Sequence, residues 1–124
     1  MEIKFNGKEI ELSFGFKFMN DIDKKLGMEM EQMSFGQGIQ MLAPNLESGN
    51  PVAIGHTIIA ATSHHKKAPK TDAEISEVLN DIASEQGLDE FAEEIIKELG
   101  KQPMTQNLVP EEYRQAKKAA AAKK

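Results

Sequence analysis

The sequence contains no cysteine, and only 6% of its 124 residues are aromatic. Without cysteine, disulfides, thiolate metal sites and cysteine nucleophiles are excluded. With so few aromatics the core has to be built from Ile, Leu, Met and Ala, and a hydrophobic content of 40% is enough to build one. No window approaches the run of about 18 apolar residues that crossing a bilayer requires, so no membrane span is expected. Nor does the chain open on a basic stretch followed by an apolar run. MEIKFNGKEIELSF instead alternates polar and apolar residues and is not read as a signal peptide. At this length one domain with a modest core is expected, followed by a tail.

The formal net charge of −5 conceals a segregation. Residues 1–70 hold eight basic and eight acidic side chains. Residues 71–100 hold ten acids against the single Lys97, a net of −9, and residues 111–124 hold five bases against Glu111 and Glu112, a net of +3. Phosphate contacts need a basic face, so the acidic block argues against nucleic-acid binding, and the short basic tail does not reverse it.

Periodicity lays out the elements. Ile3, Phe5, Ile10, Leu12 and Phe14 keep a period of two on either side of Asn6-Gly7, the dipeptide that most readily accepts positive φ at both turn positions. A β-hairpin over 2–14 follows, and it needs helical backing because an isolated hairpin is marginal in water. From Gly15 the period becomes helical. Met19, Ile22 and Leu26, widened by Phe18, predict a helix over 16–26 that stops at Gly27. Phe35, Ile39, Leu42 and Leu46 predict a second over 34–46, broken at Pro44. Asn50-Pro51 reads as an N-cap with proline at the first helical position, opening the most apolar segment, a central core helix over 51–64. Thr71 and Glu74 form a capping box ahead of Ile75, Val78, Leu79 and Ile82, giving a helix over 72–86. Leu88, Phe91, Ile95 and Leu99 predict the last, over 89–99, closed by Gly100. The expected fold is therefore α+β and mostly α: a hairpin on about five helices within a domain of residues 1–101. A tail over 102–124 would be extended as far as Val109, with a helix over 111–122.

Candidate chemistry is sparse. Of the three histidines, His64 and His65 are adjacent, and on a helix their side chains diverge by about 100°, so they do not share one ligand face, and only His56 is near enough in sequence to join either. No metal and no cofactor is expected. Glu85, Asp89, Glu90, Glu93, Glu94 and Glu98 read as a solvated helix face, because catalytic carboxylates need a cleft that separates their pKa values. Gly36-Gln37-Gly38 lacks the preceding strand and the further residues of a phosphate-binding loop. No catalytic residue is assigned, and an enzyme is not expected.

Met28-Glu29-Met30-Glu31-Gln32-Met33 puts three unbranched, polarizable side chains into a polar link. Such methionines either fill the gap between hairpin and helices or present a surface that repacks against apolar partners. On side-chain physics alone, Met28, Met30, Met33 and Met41 are the nominated partner-binding residues. The terminus Ala119-Ala120-Ala121-Ala122-Lys123-Lys124 reads as a solubilising tail.

The order of these segments carries a resemblance. The opening MEIKFNGKEIELSFGFKFMNDIDKKLG, the apolar PVAIGHTIIAAT, the acidic pair from TDAEISEVLNDI to EEIIKELG and the basic tail resemble the tail assembly chaperones of long-tailed, siphovirus-type bacteriophages of Gram-positive hosts, over about residues 1–115. The resemblance implies a protein of the infected host's cytoplasm, absent from the virion, that keeps the helical tape measure protein soluble. It also implies a longer frameshifted product that recruits tail-tube subunits. Non-catalytic binding is thus the expected activity, with self-association wherever a groove for an apolar helix is filled by a neighbouring copy. Two other readings stand beside it: a head–tail connector or minor tail component retained in the virion, and a small acidic inhibitor of a host protein.

Overall fold

Asn6 and Gly7 adopt φ of 51° and 75°, the left-handed pair of a tight hairpin turn. They join β1 (Glu2–Phe5) to β2 (Lys8–Glu11) in antiparallel register, with Ile3 opposite Ile10 and Lys4 opposite Glu9. The period of two sends Ile3, Phe5 and Ile10 to one buried face, and Leu12 and Phe14 continue it beyond β2. On the outward face Glu2 is held above the usual carboxylate range by its hydrogen bond to the Glu9 carboxyl and by repulsion from that charge. That face mixes like charges, Glu2 opposite Glu11, with the opposite charges of Lys4 and Glu9, and the apolar face carries the hairpin's burial.

The structure is a computed structural model that describes residues 1–28 and 37–114, with backbone alone for residues 27, 28 and 37. Helix α1 (Phe16–Met28) buries Phe18, Ile22 and Leu26. The Phe18 ring meets Phe14 edge to face at 5.1 Å and 88°, locking the hairpin to the helices. The helix expected over 34–46 is two pieces within the described residues, α2 (Gln37–Gln40) and α3 (Leu42–Glu47), parted at Met41. Pro44 is not the break. It lies in the first turn of α3, where a backbone N–H would have no intrahelical acceptor to lose. The Asp23 carboxylate accepts the Ile39 N–H at 2.9 Å and ties α2 to α1. Phe35 lies outside the described residues.

Helix α4 (Pro51–Ala61) is the central element, packed on α1, α3, α5 and α6. The Asn50 side chain accepts the Val52 and Ala53 N–H groups at 2.9 and 3.4 Å, and Pro51 takes the first helical position. The helix ends at Ala61, short of the expected 64. Thr62 Oγ1 takes the Ile58 carbonyl at 2.6 Å and Ser63 Oγ that of Ala60 at 3.0 Å, while Ser13 N–H, arriving from the hairpin, takes that of Ala61 at 2.8 Å. The Ile58 carbonyl also keeps its ladder bond from the Thr62 N–H at 3.0 Å, and it is the Ala61 carbonyl, taken by Ser13, that is lost to the ladder.

Helix α5 (Asp72–Glu85) opens on the expected capping box. Thr71 Oγ1 accepts the Glu74 N–H at 3.2 Å, and the Glu74 carboxylate accepts the N–H groups of Lys70 and Thr71, each at 3.1 Å. These donors favour the charged form and lower the Glu74 pKa from its ordinary 4.5. The stabilisation from Glu74 is therefore complete above the ordinary carboxylate range and fades as pH falls through the lowered folded-state value. Thr71→Ala should reduce the unfolding free energy by about 0.5–2 kcal/mol in urea titrations.

Gly87, at φ 95°, turns the chain into α6 (Leu88–Lys101), which buries Phe91, Ala92, Ile95, Ile96 and Leu99. Gly100 does not end this helix, as its position at the end of the stripe had suggested. Its missing Cβ is the space in which the Tyr113 backbone carbonyl packs. Residues 102–109, expected to leave the helix extended, and those that follow to 114 fold back on it through two 3₁₀ turns, Gln106–Leu108 and Glu111–Tyr113. Thr105 Oγ1 donates to the Leu99 carbonyl at 2.6 Å, Val109 is buried, and Arg114 Nε donates to the Val109 carbonyl at 3.0 Å. The helix expected over 111–122 is a 3₁₀ turn as far as Tyr113, and residues 115–124 lie outside the described ones. Among the described residues no helix is long and apolar enough to cross a membrane.

Candidate functional site

Helix α4 is apolar nearly all round, so after its core side is buried it still carries an apolar strip outward. Ile54, Thr57, Ile58 and Ala61 point into the core, and Thr57 Oγ1 is satisfied by the Ala53 carbonyl at 2.8 Å. On the outer side lie Val52, His56 and Ile59, at i, i+4 and i+7, with Val52 58% exposed. Two grooves flank this strip. One, of about 220 Å³, runs between α4 and α5, walled by Val52, Gly55 and Ile59 on one side and Ile75, Ser76 and Leu79 on the other. The second, of about 180 Å³, runs between α4 and α1 past Asp21, Ile22 and Lys25. His56 and Ile59 line both.

Gly55 sets the depth of the first groove. A Cβ there would sit 3.1 Å from Ile75 Cγ2 and 3.7 Å from Leu79 Cδ1, so the bare backbone allows α5 to lie close against α4. The carboxylates of α5 avoid this cleft, since only Asp72 reaches it, at one end. Glu77, Asp81 and Glu85 instead line a groove of about 440 Å³ against β1, together with Glu2 and Glu9. Helix α5 therefore shows an uncharged face to α4 and an acidic one to the hairpin. A local loss of charge around exposed Val52 and the half-buried Ile59 and Leu79, on a chain with 28% charged residues, is the composition found at the centre of protein interfaces.

The nominated methionines fall elsewhere. Met41, 37% exposed, sits at the junction of α2 and α3. Met28 is the last residue of α1, and Met30 and Met33 lie outside the described residues. Val52, Ile59 and Leu79 were not nominated. In α4 the apolar residues encircle the helix, and periodicity cannot say which side remains uncovered. The one available signal was the seven-residue spacing of Val52 and Ile59 across the polar His56.

His64 and His65 lie past the end of α4, and His65 Nδ1 accepts the Lys67 N–H at 3.1 Å, closing the loop locally. Among the described residues, no three His, Asp or Glu side chains are placed to hold a metal ion. What the surface offers is apolar contact with charged surroundings, which suits binding another chain.

The family model of the phage tail assembly chaperone protein, TAC, matches residues 2–112. No curated protein and no solved structure matches the chain. The match takes in the hairpin, α1 to α6 and the 3₁₀ turn Gln106–Leu108. The chain accordingly belongs to the phage tail assembly chaperone family, a family of non-catalytic assembly proteins.

Proposed function

We propose that this chain binds the tape measure protein of a siphovirus-type phage of a Gram-positive host and keeps it soluble while the tail is built. It acts in the cytoplasm of the infected cell and does not remain in the virion. A longer frameshifted form adds the tail-tube protein as a second partner, and copies of the chain associate along the client. The observation that carries the reading is the family match over residues 2–112. The apolar side of α4, with Val52 exposed and Ile59 half-buried, supports it, because a long client with apolar surface needs apolar contacts that water would otherwise punish. Met28, Met30, Met33 and Met41 are proposed as adaptable partner contacts.

Co-expression with the tape measure protein encoded in the same phage genome tests this. The expected result is a soluble tape measure protein that co-elutes with the chain in size-exclusion chromatography. A tape measure protein that stays insoluble while the chain elutes alone sinks the reading, and recovery of the chain from purified virions would establish a structural tail component instead.

A further inference from the structure

We infer that a second copy of this chain docks across the tip of the β-hairpin, related to the first by a two-fold axis, so that the basic cleft of each copy lies on the acidic groove of the other. The inference rests on the self-association proposed above, to which it gives a surface, and it does not depend on which client the chain binds.

Two hollows of opposite charge meet at the hairpin turn. A cleft of about 500 Å³ lies between the turn and the loop that leads from α4 into α5. Lys8, Lys66, Lys67 and Lys70 line it, and its one carboxylate, Glu74, is already held in the capping box. Beside it, the groove of about 440 Å³ between β1 and α5 carries Glu2, Glu9, Glu77, Asp81 and Glu85 against the single Lys4. Phe5 and Asn6 line both hollows, so the hairpin turn is their common rim. Glu77, Asp81 and Glu85 stand exposed at i, i+4 and i+8 on α5, a spacing at which like charges repel. Among the described residues, neither these three acids nor Lys8, Lys66 and Lys67 have an ion-pair partner within their own chain. Unpaired charges of both signs thus stand side by side on one face.

Spacing selects the two-fold arrangement. From Lys70 to Asp81 the distance is roughly 15 Å at the helical rise, whereas a small domain is about 30 Å across. A copy seated on one hollow therefore covers the other as well, and head-to-tail stacking would leave the second hollow blocked. In a two-fold interface every contact is repeated with the roles exchanged, so base meets acid twice. Both contacts then offset a single loss of translational freedom. The net charge of −5 on each copy opposes this only weakly. At physiological ionic strength charges separated by more than about 8 Å are largely screened, and those facing each other across the interface lie closer.

Sedimentation equilibrium of the full chain over a wide range of concentration tests this. The wild type should pass from monomer to dimer and no further. Lys8→Glu, Lys66→Glu and Lys67→Glu together turn the cleft acidic, and Glu77→Lys, Asp81→Lys and Glu85→Lys together turn the groove basic, all at exposed positions. Each triple variant should self-associate roughly tenfold or more weakly, with the unfolding midpoint preserved. Mixed in equal amounts, the two should form a heterodimer, and a chain carrying all of these substitutions should dimerise again. Misfolding cannot produce either recovery.

A wild type that stays monomeric throughout, a dimer that both triple variants retain, or a mixture that does not associate overturns the assignment. Assemblies larger than a dimer overturn the two-fold axis. A wild type that dimerises only after deletion of residues 115–124 would make the chain's own basic tail the occupant of the acidic groove, which also overturns it. No client enters these measurements, so their failure leaves the chaperone reading to its own co-expression test.

Discussion

Phe18→Ala should lower the unfolding free energy by about 3–5 kcal/mol, a large share of the roughly 5–15 kcal/mol available to a domain of this size. Phe18 is 1% exposed in α1, and its ring meets Phe14 at the end of the hairpin. Alanine would leave a cavity and also remove the edge-to-face pair joining the two parts of the core. The hairpin is two-stranded and depends on its buried face, where Ile3, Phe5 and Ile10 pack beside this aromatic pair. Hydrogen exchange should therefore show the β1 and β2 amides losing protection before those of α6, alongside a lower midpoint in urea. A loss under about 1 kcal/mol, or equal loosening of hairpin and α6, would refute the claim that this ring holds the hairpin in place.

Gly100→Ala is the second large effect, and it runs against helix propensity. Inside a helix, alanine is ordinarily better than glycine by about 1 kcal/mol. Here the new Cβ would collide with the Tyr113 backbone carbonyl, an atom with no flexible end to move aside. Overpacking of this kind costs about 1–3 kcal/mol, so the expected net result is destabilisation. The strain should be relieved by lifting residues 102–114 from α6, releasing Val109 and breaking the bond from Thr105 Oγ1 to the Leu99 carbonyl. Faster hydrogen exchange over 105–114 with α6 amides still protected would verify this. A more stable variant with unchanged exchange would mean that the C-terminal segment does not depend on Gly100.

Local chemistry made much of the fold legible in advance. Asn6-Gly7 can turn in one way far more readily than in others, the Thr71–Glu74 box needs no distant residue, and the Asn50-Pro51 start is complete within three positions. Where an element's end depends on groups far away in sequence, the local signal misleads. Gly100 looked like a helix stop, yet Tyr113 uses its bare backbone as a packing site. Residues 62–64 looked helical, yet the Ser13 amide and two hydroxyls take the last carbonyls of α4. Pro44 looked like a break, yet the chain had already parted at Met41.

The candidate surface divides in the same way. That α4 is the most apolar helix follows from its composition alone, as does the absence of cysteine chemistry and the acidic character of residues 71–100. The order of segments is also written in the chain, and with it the membership of a tail chaperone family. Which side of α4 stays uncovered is another matter, because a helix apolar on every side has no intrinsic inside. Only the packing of α1 and α5 around it, with α5 brought close by Gly55, leaves Val52 exposed and Ile59 half-buried and turns Glu77, Asp81 and Glu85 of α5 to the opposite groove. Composition and turn chemistry act between neighbours in sequence and can be read there, but a surface is what remains after distant elements have covered everything else.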